Sequence, residues 1–126
     1  MQNQTLPYHE IRASSEVSRV DQSFDLIISG DNGYDITRNR ILQVYVLKEN
    51  GSIDNPDDVI SVRMDSDYTN EDNELIFSGY SIPTRGIYDV ETRYHDVDNQ
   101  KTISKRINKL ITICLLYTSD AAAELD

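Results

Sequence analysis

The chain has 126 residues, enough for one domain with a core of its own, and its 38% hydrophobic and 27% charged residues are those of a soluble globular protein. A net charge of −10 opposes nucleic acid, whose affinity depends on Lys and Arg displacing counterions, and opposes anionic membrane surfaces as well. One cysteine, Cys114, excludes an intrachain disulfide and a cysteine-rich zinc site, so stability has to come from packing.

Residues 1–22 show no periodic apolar face and are predicted to be an extended or flexible segment. They lack the apolar core of a signal peptide, and no stretch of the chain approaches the roughly 20 apolar residues of a membrane span, so the chain is expected to stay where it is made.

Over residues 23–113 apolar and polar residues alternate with a period of two, the mark of strands with one buried face. Phe24, Leu26 and Ile28 form the first buried row, and "GDNG" at 30–33 supplies turn residues. In 41–48 the row is Leu42, Val44 and Val46, ended by Asn50 and Gly51, a pair that tolerates the positive φ of a tight turn. In 59–64 the alternation sets Ile60, Val62 and Met64 against Ser61 and Arg63, and Val62 is predicted to be buried. Leu75 and Phe77 flank Ile76 in a short strand. Next, Tyr88, Val90, Thr92 and Tyr94 are predicted to face inward and Ile87, Asp89, Glu91 and Arg93 to face water, with a turn at Asp98 and Asn99.

The return strand sets Ile103, Ile107, Ile111 and Ile113 on one parity but puts Lys105 and Lys109 among them, which requires a bulge or a lysine-guarded edge. The whole predicts an all-β, immunoglobulin-like antiparallel β-sandwich of about seven strands.

Residues 114–126, "CLLYTSDAAAELD", break this pattern. One reverse translation of 114–122 resembles the mosaic-end adapter of transposon-based sequencing libraries, so the segment is expected to be a non-native tail and the natural gene to continue beyond Ile113. The alternative is a natural short helix capped by Ser119 or Asp120.

Residues suited to catalysis are scarce. His9 and His95 are the only histidines, and there is no nucleophile elbow, Gly-rich phosphate loop or helical His pair, so neither enzyme activity nor a cofactor is expected. The acidic clusters hold weak calcium candidates, Asp65, Asp67 and Asp72 in one and Asp96 and Asp98 in the other. Their spacing does not fit the twelve-residue calcium loop, and acidic tips of this kind are more often solvated loops.

The order "RVDQSFDLIISGDNGYDIT", "FSGYSIP" and "GIYDVETRYHDVDNQKTIS", over residues 19–113, resembles immunoglobulin-like domains at the N-termini of phage baseplate and tail proteins. The closing hairpin is similar also to bacterial surface immunoglobulin-like repeats, through Gly86, Tyr88, Val90 and Asp96, although Asp98 and Asn99 stand where those repeats usually carry glycine. The first resemblance implies a structural or attachment module of a virion assembled in the host cytoplasm. The second implies an adhesion or spacer module at the bacterial surface. Either way the expected partners are other protein subunits or following domains of the same chain, with a homo-oligomer left open and neither nucleic acid nor membrane involved.

Overall fold

The computed structural model describes residues 8–31, 40–64, 69–70, 73–97 and 100–115. Among these run the strands β1 (Tyr8–Ala13), β2 (Val17–Arg19), β3 (Phe24–Asp31), β4 (Arg40–Lys48), β5 (Val59–Met64), β6 (Thr69–Asn70), β7 (Glu74–Tyr80), β8 (Gly86–Asp96) and β9 (Lys101–Cys114). The only helical element among the described residues is a 3-10 turn at Pro56–Asp58. Eight strands have three residues or more and β6 has two, so the expected count of about seven is low.

They form two sheets, in the orders β1-β3-β7-β6 and β2-β9-β8-β4-β5. The inward rows of both sheets meet in one core, where Leu26, Ile28 and Phe77 from the first pack with Leu42, Val44, Val46, Val90 and Tyr94 from the second. Burying aliphatic side chains of this size contributes about 1.5–3 kcal/mol each, the main favourable term for a chain without cross-links.

Two features make the sandwich immunoglobulin-like. The N-terminal strand switches sheets: β1 pairs antiparallel with β3, and a few residues later β2 pairs parallel with β9. At the crossing into β8, the Tyr88 hydroxyl donates to the Thr84 carbonyl at 2.6 Å, the corner that holds this kind of sandwich at the start of its penultimate strand. Gly86 serves that corner. Its φ of 150° is closed to ordinary side chains, and it lets the chain enter β8 beneath the Tyr88 ring.

Strands run beyond residues 23–113. Residues 8–13 and 17–19, within the segment expected to be extended or flexible, lie in sheets, with His9, Ile11 and Ser18 buried. The alternation in β1 goes unread because a histidine fills a core position beside Ile11. At the other end, Cys114 is the last residue of β9, is buried, and accepts a hydrogen bond from Val20 N–H at 2.9 Å. Residues 116–126, the rest of the expected tail, lie outside the described residues.

A bulge accounts for Lys109, while Lys105 keeps the inward parity, opposite Thr92, and reaches the edge of the sandwich at the His9 carbonyl. The β8–β9 register shifts between Tyr88 and Val90, opposite Lys109, whose φ is 58°. Beyond it Ile111 and Ile113 return to the core.

Candidate functional site

Three places carry chemistry. The first is the seam where β1 meets the inner face of β8. His9, 2% exposed, lies with its Nε2 2.7 Å from the Thr92 hydroxyl and its ring 5.9 Å from that of Tyr94. Lys105 reaches across from β9 and donates to the His9 carbonyl at 2.7 Å. Burial, and secondarily the Lys105 charge, lower the His9 pKa from 6.5 to about 4, so the ring is neutral near pH 7. A histidine beside a hydroxyl has the geometry of a base and a nucleophile, but both groups are sealed from solvent and offer a substrate no approach.

The second lies on the opposite face of β8. Asp89 was expected to face water, yet it is 0% exposed. It does point out of the sandwich, and there the 49–58 connection and the β9 bulge cover it. Its carboxylate accepts from Asn50 N–H and Lys109 N–H, each at 2.8 Å, and from Arg106, which also donates to Glu91 at 2.9 Å. Burial pushes the Asp89 pKa up, but these donors outweigh it and hold the carboxyl below its usual value. Burial likewise disfavours the Arg106 cation, and the bonds to Asp89 and Glu91 reverse that, leaving its pKa raised.

Asn50 and Lys109 both have positive φ, 62° and 58°, and Asp89 holds the N–H of each. One carboxylate thus fixes two turns in a conformation that costs roughly 1–2 kcal/mol per non-glycine residue. Gly51 brings the same connection close: a Cβ there would lie 2.7 Å from Asp58 Cβ. Leu47, of the parity opposite to Val46, is buried on this side, outside the main core.

The third place is the edge of the second sheet. Val62, predicted to be buried, is 46% exposed, with Ile60 at 36% and Met64 at 47% beside it. The period of two is present, but the face is reversed. Arg63 pairs with the inward-facing Val44, donates to the Ser78 and Gly79 carbonyls, and lies 4.0 Å from the centroid of the Tyr80 ring. Because β5 is the last strand of its sheet, its inner face meets the rim of the sandwich, where a long cation bridging to β7 fits better than a valine. The three apolar side chains therefore turn outward with Tyr45, which pairs with Val62.

Of the predicted calcium candidates, Asp65, Asp67, Asp72 and Asp98 lie outside the described residues, and Asp96 is described only through its backbone, at the end of β8. No group of three His, Cys, Asp or Glu side chains able to hold a metal occurs among the described residues. His95 pairs with Thr102 across the β8–β9 hairpin, its Nδ1 2.9 Å from the hydroxyl, an ordinary rung of the ladder. No helix among the described residues is long and apolar enough to cross a membrane.

No protein-family model matches the chain, and no curated protein matches it significantly. Among solved structures it is similar to chitinase ChiW from Paenibacillus sp. str. FPU-7, a bacterial cell-surface-expressed multi-modular enzyme machinery, with 10% identity and a TM-score of 0.48. The similarity covers 86% of this chain and 9% of that one.

Proposed function

We propose that the chain is a non-enzymatic attachment module of a larger protein assembly, and that the assembly is a phage virion, with the domain in a baseplate or tail protein. The observation that carries the attachment reading is the contrast between its closed polar groups and its open edge. His9 and Asp89, two buried groups with shifted pKa values, are each held by partners that build the fold, whereas β5 leaves Ile60, Val62 and Met64 in solvent on an edge strand. Exposed apolar rows of this kind mark places where proteins meet. The virion is the assembly implied by the sequence resemblance over residues 19–113.

The second reading is an adhesion or spacer module at the bacterial surface. Gly86 and Tyr88, two of the four residues that resemble surface repeats, build the corner at the start of β8 and would do so in either setting. An antibody raised against the folded domain separates the two readings. Labelling of tails or baseplates in electron micrographs of purified particles supports the first, and labelling of intact bacteria supports the second. Signal confined to the soluble cell fraction overturns both.

A further inference from the structure

Resting on the attachment reading, we propose that β5 is the docking edge, and that its occupant is an antiparallel strand of a partner protein with alternate apolar side chains and lysine or arginine at its C-terminal end.

Among the described residues the two sheets end in four edge strands, β1, β6, β2 and β5. An open edge offers unpaired N–H and C=O groups to any extended chain, and folded proteins blunt such edges by shortness, charge or proline. Three of the four are blunted here. β6 has two residues and β2 has three, and β1 turns the charged Glu10 and Arg12 to solvent. β5 has six residues, no proline and no lysine; its one charged residue, Arg63, is turned inward and tied to the Ser78 and Gly79 carbonyls, and the side chains it exposes are Ile60, Val62 and Met64. An added strand would continue the sheet past β5 and cover that row with its own alternate side chains.

Charge selects among the possible occupants. The start of β5 adjoins the 3-10 turn Pro56–Asp58, where Asp57 is exposed and Asp58 half-buried, with Asp54 exposed just before them. A strand running antiparallel to β5, as β4 does on the other side, ends beside these carboxylates. Basic residues fit there and acidic ones are repelled. A second copy of the chain is disfavoured on the same ground, since each copy carries a net charge of −10.

The test titrates the full chain with a short synthetic peptide of alternating threonine and valine ending in a pair of lysines, and follows amide hydrogen exchange. The expected result is added protection at alternate amides of β5 and nowhere else. Val62→Lys should weaken binding by about tenfold or more, and a peptide ending in glutamates should bind about tenfold more weakly at low salt, with the gap closing as salt rises. Protection absent or away from β5 overturns the proposal, as does equal binding of the two peptides. Sedimentation showing a dimer that Val62→Lys dissociates also overturns it, because the occupant is then a second copy. These outcomes are separate from those of antibody labelling: particle or surface labelling without peptide binding leaves an attachment module that docks elsewhere, and peptide binding without such labelling retires the attachment reading.

Discussion

The two faces of β8 bury polar side chains by opposite means. On the inner face His9 gives up its charge, and a single hydroxyl, from Thr92, meets its Nε2. On the outer face Asp89 keeps its charge because two backbone N–H groups and a guanidinium surround it. A histidine can shed its proton near neutral pH at little cost, while a carboxylate made neutral there would leave those three donors without an ionised acceptor. Burial therefore acts on His9 through its protonation state, and on Asp89 through the architecture assembled around it.

The sharpest way to break this comparison is Asp89→Ala. It takes from Arg106 one of its two carboxylate partners, leaving Glu91, and frees both left-handed turns, and it should destabilise the domain by about 1–3 kcal/mol for each backbone donor left unsatisfied. Urea denaturation measures the loss. A value below about 1 kcal/mol would show that the two turns hold themselves.

The next effect is a dependence on pH. The unfolded chain protonates His9 near 6.5 and the folded chain only near 4, so this contribution is complete above pH 6.5 and declines as pH falls toward 4. At about 1.36 kcal/mol per unit the loss is ~3 kcal/mol. Asp89 has the opposite ionisation and a lower window: its carboxyl lies below the ordinary 3.8, so its contribution holds above that value and fades only in stronger acid. His9→Leu should flatten the stability profile between pH 6.5 and 4 and leave the more acidic limb in place.

Tyr88→Phe tests a neutral donor with one backbone acceptor, a case between the two. Losing the bond to Thr84 should cost about 1 kcal/mol, readable as a small drop in Tm. The smallest effect is expected at Val62. Because it is exposed, Val62→Lys should change stability by no more than about 0.5 kcal/mol, whereas a core valine replaced by lysine would unfold the domain.

Much of the sandwich was legible in the sequence because period-two rows report burial directly. Leu26, Val44, Val46, Phe77, Tyr88 and Val90 are buried as predicted. The same rule was blind where a residue's type and its place disagree. His9 fills a core position but reads as polar, which hid β1. Val62 reads as core, but its strand ends the sheet, and parity alone does not say which side of an edge strand faces in. Asp89 lies on the outward row as predicted, yet an approaching loop and a bulge bury it, and neither leaves a mark on the alternation. Asn50 and Gly51 signalled the turn that contributes to that burial. The chemistry was less legible than the fold, since it arises from contacts between residues as far apart as His9 and Thr92.

The strand switch also bears on mechanics. β2 and β9 lie side by side and point the same way, with Val17 opposite Thr112 and Arg19 opposite Cys114. A pull applied at opposite ends of the domain slides these two strands along each other instead of peeling them apart. The bonds of the seam, from Thr112 N–H to the Glu16 carbonyl at 2.7 Å to Val20 N–H on the Cys114 carbonyl at 2.9 Å, then bear the tension together and have to rupture together. Tethered at both ends, the domain would transmit force as a stiff link rather than yield as a spring.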